Sequence, residues 1–375
     1  IDTVTMNLRE VQPTLFFAVP RIWEKIHAGV QIKMASASWL KRANYRFWMK
    51  VAAKIGDDLV ANGGLHTRST RIRYALGYPF LFRSLRERIG LRRCRYAGSG
   101  AAPIAPEILK WFFGIGVVIH EIYGMTENSA VATNNRRGRV KLGTVGEPHE
   151  GVELRIDEQT GEIQTRHPGV FAGYWNDPKR TKETLTEDGW LRTGDVGEWV
   201  DGTHVRIVDR IKDIIITAGG KNISPSEVEN ALKCSPFIKE VVLVGDRRAY
   251  LSALVGIEFD TVADWAQRKR IRYTTYRDLS EKPEVLKLIQ DVIKATNERF
   301  ARVEGVRKFR VIPKELDHED GELTATQKVK RAAISSMFDP LIEDMYTNCT
   351  TYAGGDLVDV HTRPEAMAGS EEGAA

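Results

Sequence analysis

Three short glycine-bearing stretches combine residue types that could contact a phosphorylated ligand. Gly98-Ser99-Gly100-Ala101-Ala102-Pro103 reads as a strand-to-helix turn whose small residues let backbone amides approach an anion. Tyr123-Gly124-Met125-Thr126-Glu127 follows an apolar run and supplies an aromatic that could stack on a base, a hydroxyl for a phosphate and a carboxylate for Mg²⁺. Gly189-Trp190-Leu191-Arg192-Thr193-Gly194-Asp195 places an acceptor-only carboxylate in a tight turn, where it could grip ribose hydroxyls. Taken singly, each has an ordinary reading. A GSG turn is chain punctuation, a Thr-Glu pair caps a helix, and a Gly-Asp pair makes a turn. Their force lies in order and spacing, continued by Asp209-Arg210-Ile211-Lys212-Asp213, by Gly219-Gly220-Lys221-Asn222 and by Leu323-Thr324-Ala325-Thr326-Gln327-Lys328-Val329-Lys330-Arg331. Alone, Lys328 would be one of three solvated charges at a helix start. Glu127 would be a first-turn helix residue, and His120, in an apolar run, a core histidine.

The elements that must position these residues follow from hydrophobic periodicity. Residues 14–19 (TLFFAV) form a buried strand ended by Pro20. Helical texture runs from Arg21 to about Ile55, with Trp39, Leu40, Phe47 and Trp48 among Lys and Arg; these aromatics are expected in the core. A second basic helix spans about 69–88. Strand 94–97, helix 106–113 and strand 117–122 alternate as a βαβ unit does. Residues 152–156 and 162–165 make a hairpin around Thr160-Gly161. Beyond a boundary at 209–212 comes a separate α+β pattern. It has a strand at 214–217, a helix opened by Ser224 with Glu227 as a capping box, and strands at 240–244 and 254–259. A helix at 283–303 and a strand at 309–312 complete it. Domains are therefore expected at 1–208 and 213–346 with a hinge at 209–212, and 347–375 reads as a disordered tail.

The ordered set of motifs resembles the adenylate-forming superfamily of acyl-CoA synthetases, aryl ligases and luciferases. Val19-Pro20-Arg21-Ile22-Trp23-Glu24-Lys25 and the closing TATQKVKR are most similar to the long-chain, bubblegum-type fatty acyl-CoA synthetases. The likeness runs from Ile1 to about Tyr346. It implies an α/β fold: part of a large adenylate-binding domain, of mixed sheets with flanking helices, plus a small mobile α+β C-terminal domain. It implies activation of a long-chain fatty acid by ATP through an acyl-adenylate to acyl-CoA, with release of AMP and pyrophosphate and with Mg²⁺ as the metal. Gly98, Ser99, Gly100 and Ala101 resemble the adenine-contacting loop. Tyr123 resembles the base-stacking aromatic beside Gly124, Thr126 the phosphate-contacting hydroxyl and Glu127 the Mg²⁺ ligand. Asp195 is similar to the ribose-binding carboxylate, with Arg210 as a second grip on the nucleotide. Lys212 matches the hinge, Gly219 and Gly220 the CoA tunnel, and Lys328 the adenylating lysine. The superfamily's phosphate loop with its lysine is not among these residues, so the chain is read as a truncated form. Gln327 stands where many relatives have glycine, and Ala325 where proline is common. Two other readings stay open: transfer of the acyl group to a carrier protein, and a non-catalytic remnant that binds nucleotide or a partner.

Bulk properties agree with such a protein. The 375 residues are 42% hydrophobic and 28% charged, a globular composition, and no run of about 18 apolar residues occurs. Cys94, Cys234 and Cys349 have no metal-ligand spacing and no disulfide pattern, which favours a reducing, cytoplasmic setting. Charge is uneven. From Arg21 to Arg95 there are 17 Lys/Arg and 4 Asp/Glu, a local +13 in a chain of net +5. No nucleic-acid fold signature accompanies it, so a membrane surface or a phosphate-bearing substrate is the expected counterpart.

Overall fold

The computed structural model describes residues 3–317, 319–324 and 329–347. Two compact units divide the chain, Ile1–Lys212 and Asp213–Ala375.

The first unit holds two sheets. One has the order β1 (Leu15–Ala18), β2 (Tyr96–Gly100), β3 (Ile119–Tyr123), β4 (Thr133–Asn134) and β5 (Glu147–Pro148). Its first three strands are parallel and the last two antiparallel. The helices are α1 (Val4–Val11), α2 (Pro20–Ala35), α3 (Trp39–Ala61), α4 (Arg68–Gly77), α5 (Arg83–Arg88) and α6 (Pro106–Gly114). Proline at the first position of α2 and α6 sets φ for a helix and gives up an N–H that would have no partner there. Helix α6 packs against α3 at nearly backbone contact: a Cβ on Gly56 would lie 2.7 Å from the Lys110 carbonyl oxygen, and one on Gly114 2.4 Å from that of Ala52.

The sequence differs from the fold in five places here, the first being β1, expected to be buried but with Leu15 and Phe17 64% and 51% exposed. The single helix expected from Arg21 to Ile55 is two, because the Ser36 hydroxyl bonds back to the Lys33 carbonyl and Ser38 turns extended. The basic helix over 69–88 is α4 and α5 joined through a π-helical turn, Tyr78–Phe82. The strand expected at 94–97 lies at Tyr96–Gly100, so Gly98, Ser99 and Gly100 are in the strand and the turn begins at Ala101, φ 71°. Trp39 and Phe47, expected in the core, are 70% and 61% exposed. The buried side of α3 is taken by Tyr45, Ala52, Ile55, Gly56 and Leu59, and the glycine contact with α6 leaves no room for large rings there.

The second sheet is antiparallel: β6 (Glu153–Ile156), β7 (Glu162–Arg166), β8 (Leu191–Val200) and β9 (His204–Arg210), with α7 (Pro178–Thr184) before β8. Tyr123, Ala132, Ile163 and Val205 form one buried cluster between the sheets. Backbone bonds stitch them as well: Val145 N–H donates to the Val205 carbonyl and Val205 N–H to that of Gly146, both at 2.8 Å.

In the second unit a short hairpin, β10 (Ile215–Ile216) and β11 (Asn222–Ile223), precedes α8 (Pro225–Lys233). Ser224 occupies the helix N-cap, but its side chain makes no capping bond, so the expected capping box is absent. A three-stranded sheet follows: β12 (Ile238–Val244), β13 (Leu251–Ile257) and β14 (Val306–Val311), with α9 (Phe259–Arg268), α10 (Tyr276–Ser280), α11 (Pro283–Asn297), α12 (Arg331–Met337) and α13 (Asp339–Thr347) around it. Both faces are covered. Val241, Leu243 and Val255 pack in one core, Val242, Leu254 and Ile312 in another, which is why β13 is buried along its whole length and apolar apart from Ser252. Helix α11 stops six residues before the expected 303, because the Asn297 side chain takes both the N–H and the carbonyl of Val306 and starts β14 instead.

Arg310 of β14 donates to Asp344 of α13, with Nε at 2.8 Å, and both side chains are 7% exposed. Removing one partner strands a buried charge. Asp344→Ala is therefore expected to destabilise this unit by about 3–5 kcal/mol. Denaturant unfolding followed by a probe in the second unit checks it; a loss below about 1 kcal/mol would contradict the assignment.

Candidate active site

The candidate site residues of the first unit converge where the two sheets meet. Strand β3 ends at Tyr123, whose ring sits in the inter-sheet cluster and whose hydroxyl donates to Asp195 Oδ2 at 2.7 Å. Asp195 lies on β8, directly across the ladder from Arg210 of β9, and the Arg210 Nε reaches Asp195 Oδ1 at 3.2 Å. Register shifts on both neighbouring ladders flank this point, at Glu162/Gln164 and at Val196/Gly197. Such bulges re-aim side chains. The turn into Asp195 is held from behind: Thr193 Oγ1 donates to the Ile163 carbonyl at 2.6 Å, and the Gly194 N–H donates to Glu162 Oε1 at 2.8 Å.

Asp195 is 7% exposed, whereas Arg210 keeps an exposed side chain. Burial, then the neighbouring Asp195 carboxylate, pushes the Tyr123 phenol well above its ordinary range, so it stays a donor. A carboxylate offers about four lone-pair sites. Tyr123 donates to one oxygen and Arg210 to the other, which fixes the orientation of the group.

The turn after β3 is a second organised feature. Thr126–Asn128 form a single 3₁₀ turn. The Asn128 side chain accepts from the Met125 N–H at 2.7 Å and lies 3.4 Å from Thr165 Oγ1 on β7. Glu127 projects from this turn. Tyr174 donates its hydroxyl to Glu127 Oε1 at 2.7 Å, and the Phe171 N–H donates to the Glu127 carbonyl at 2.8 Å. Burial and the Glu127 carboxylate together raise the Tyr174 phenol, which again remains a donor. Among the described residues no hydrogen bond is made to Glu127 Oε2, and Thr126 is exposed. Gly124 is required here, since a Cβ would lie 2.2 Å from the Ala130 carbonyl carbon. No group of three or more His, Cys, Asp or Glu that could hold a metal occurs among the described residues. One carboxylate with a free oxygen suits Mg²⁺, which takes most of its ligands from phosphates and water.

The structure thus brings together Tyr123, Gly124, Thr126, Glu127, Asp195 and Arg210, with Gly98, Ser99 and Gly100 in the adjacent strand β2. Lys212 is the last residue of the first unit. Gly219 and Gly220 lie in the β10–β11 turn of the second unit, where the Gly220 N–H donates to the Thr217 carbonyl at 2.8 Å. Lys328 lies outside the described residues. Its flanks are fixed: Leu323 and Val329 bridge antiparallel, Lys330 N–H donates to the Glu322 carbonyl at 2.8 Å, and Arg331 reaches Glu229 at 2.8 Å. Sequence reasoning missed Tyr174, Asn128 and Thr193, the residues that hold Glu127 and the turns. Nothing in their local sequence marks them, because the partners named here are 30 to 47 residues away. His120 is buried, with Nδ1 2.8 Å from the Asn135 carbonyl oxygen.

A large α/β unit followed in sequence by a small α+β unit is the fold of adenylation domains. It superposes on the adenylation domain of the carboxylic acid reductase from Segniliparus rugosus, solved with AMP and a co-purified carboxylic acid, at a TM-score of 0.63 and 22% identity, covering 92% of this chain and 49% of that one. The model for "AMP-binding enzyme" matches residues 2–175, and that for "AMP-binding enzyme C-terminal domain" matches residues 212–350. The chain belongs to the AMP-binding enzyme family, and the resemblance and fold class read from its motifs are borne out. It is 34% identical over 348 residues to the long-chain-fatty-acid–CoA ligase FadD15 of Mycobacterium bovis, covering 92% of this chain and 57% of that protein. It is 30% identical over 373 residues to the long-chain-fatty-acid–CoA ligase ACSBG2 of Xenopus laevis, covering 93% and 50%. The chain thus spans 50 to 57% of the length of these two relatives.

Tyr123→Phe removes one donor from Asp195 while keeping the ring that fills the core. A hydrogen bond to a charged group contributes about 1.5–3 kcal/mol, so AMP is expected to bind roughly tenfold or more weakly, by isothermal titration, with the fold retained. Unaltered affinity would remove Tyr123 from the site.

Proposed function

We propose that this chain belongs to an enzyme that activates a long-chain fatty acid with ATP and passes the acyl group to CoA. The reading rests above all on the Tyr123–Asp195–Arg210 constellation at the junction of the two sheets, beside Glu127. The fatty-acid substrate and CoA are supported by the names of the relatives and by motif likeness.

Adenylation drives a fatty-acid carboxylate oxygen onto the α-phosphorus of ATP. The bond to pyrophosphate breaks, and an acyl-AMP anhydride forms. The CoA thiol then attacks the acyl carbonyl, loses its proton, and AMP departs. The first step brings two anions together, so it needs charge compensation and positioning. In this reading Asp195 accepts the ribose hydroxyls, and Arg210 both holds Asp195 and turns its exposed guanidinium to the nucleotide. Tyr123 orients Asp195 and lines the base site with the backbone of Gly98, Ser99, Gly100 and Ala101. Thr126 donates to a phosphate oxygen. Glu127, steered by Tyr174, presents its free oxygen to Mg²⁺, which when bound neutralises phosphate charge. Lys328 supplies the cation at the reacting carboxylate and α-phosphate. Lys212 is the pivot between the two half-reactions, and Gly219 and Gly220 line the thiol's path.

Among the described residues no helix is long and apolar enough to cross a membrane. We read the protein as cytoplasmic, with the basic stretch from Arg21 to Arg95 drawing it to an anionic surface where fatty acids partition.

In a form that turns over, Lys328→Ala is expected to abolish adenylate formation, measured by ATP–pyrophosphate exchange, and to spare thioester formation from pre-made acyl-AMP. A single positioned cation contributes about 3–4 kcal/mol to such a transition state, a loss of some hundreds-fold or more. Equal loss of both half-reactions would assign Lys328 a structural role and sink its part in the mechanism.

A further inference from the structure

Helices α3 and α4 carry large apolar side chains on the side turned away from the core. Trp39 is 70% exposed, Leu40 62%, Phe47 61%, Ile72 62%, Leu76 59% and Phe80 62%. They are arranged, not scattered. Leu40 and Phe47 stand seven residues apart on α3, and Ile72, Leu76 and Phe80 follow one another at four-residue spacing through α4 and the π-helical turn. The two rows meet at Trp48, whose ring lies 5.1 Å from Phe47 edge-on and 5.5 Å from Phe80 in a stack. The Asn44 side chain ties the rows again by donating to the Phe80 carbonyl at 3.2 Å. One continuous apolar strip results, larger than the isolated exposed residues common on a protein surface.

Cations dominate the charge around the strip. Lys50 and Lys54 fall on the same side of α3 as Phe47, with Arg46 at its edge, and Arg71 and Arg83 flank the α4 row; all five are exposed. From Lys25 to Arg86 the only acids are Asp57 and Asp58. Both are paired, Asp57 with Lys110 at 3.2 Å and Asp58 with Arg73 at 2.8 Å. Exposed Trp and Phe at the level of long cationic side chains match a bilayer interface. The rings seat among headgroups and upper acyl chains, while the Lys and Arg stems reach up to anionic phosphates.

We propose that this face of α3 and α4 docks on an anionic lipid bilayer, with Trp39, Leu40, Phe47 and Phe80 entering the interface and Arg46, Lys50, Lys54, Arg71 and Arg83 contacting lipid headgroups. The inference rests on the surface-attraction reading given above and adds to it the face, its orientation and insertion by aromatic side chains. The bilayer, as the source of fatty acid, then lies against α3 and α4.

The test is co-sedimentation of the 375-residue chain with vesicles of phosphatidylcholine alone or with phosphatidylserine, without fatty acid or ATP. Binding is expected on the anionic vesicles and is expected to weaken with salt. Lys50→Gln with Lys54→Gln should lower partitioning about thirtyfold. Trp39→Ser with Leu40→Ser should lower it about tenfold or more at unchanged net charge and thermal midpoint. Trp39→Phe keeps the packing and should remove part of the tryptophan quenching that brominated acyl chains produce. Salt-sensitive binding that survives the Trp39/Leu40 variant would keep the electrostatic reading and overturn this docking face. Equal binding to neutral and anionic vesicles, or self-association abolished by the same variant, would overturn it too. Adenylation is scored separately by pyrophosphate exchange with soluble acid, so failure here leaves the catalytic reading standing.

Discussion

The hydrogen bond from Tyr123 to Asp195 joins two sheets that have no strand ladder in common. It spans 72 residues of sequence and lies on top of a four-residue apolar cluster in which the Tyr123 ring is itself a member. The same side chain therefore packs the sheet junction and holds the carboxylate. A buried carboxylate without partners would be expensive, since desolvation favours its neutral form. With Tyr123 on one oxygen and Arg210 on the other, it stays oriented and able to accept. The bulges that flank it on the ladders either side follow from the same demand: β8 has to deliver Asp195 to the junction rather than continue its regular alternation.

A similar economy holds at Glu127. Its position depends on a one-turn 3₁₀ segment that could not persist alone. Asn128 anchors that turn to Thr165, Tyr174 takes one carboxylate oxygen, and Gly124 admits the Ala130 backbone at a distance no side chain would allow. The two carboxylates are thus held by two tyrosines from different segments. Both phenols are pushed upward by burial and by the carboxylates they face, so both remain protonated donors at neutral pH.

The second unit solves a different problem. Its three strands are covered on both faces, so its core is apolar on each side, with the Arg310–Asp344 pair buried between β14 and α13. Arg331 is central there. It ties the start of α12 to Glu229 and to the Leu243 carbonyl, which fixes the chain immediately after the Leu323–Val329 bridge.

From the sequence alone, the order and spacing of Gly98–Ala101, Tyr123–Glu127, Asp195 and Arg210 determined the family, and hydrophobic periodicity placed the βαβ unit, the 153–166 hairpin and the apolar strands of the second unit within a few residues. Such signals are local: they depend on backbone conformation and on which residue types a turn tolerates. What the tertiary structure decided depends on partners far along the chain. Only the packing of α3 against α6, through Gly56 and Gly114, turns Trp39 and Phe47 outward, although their spacing suits a core helix equally well. Only the meeting of two sheets gives Tyr123 its bond to Asp195, and only the folding of 171–174 onto the 126–128 turn gives Glu127 its tyrosine. Amphipathic spacing fixes which residues share a face of a helix. Which face is buried is set by volume and close backbone approach, and these exist only once distant segments have packed.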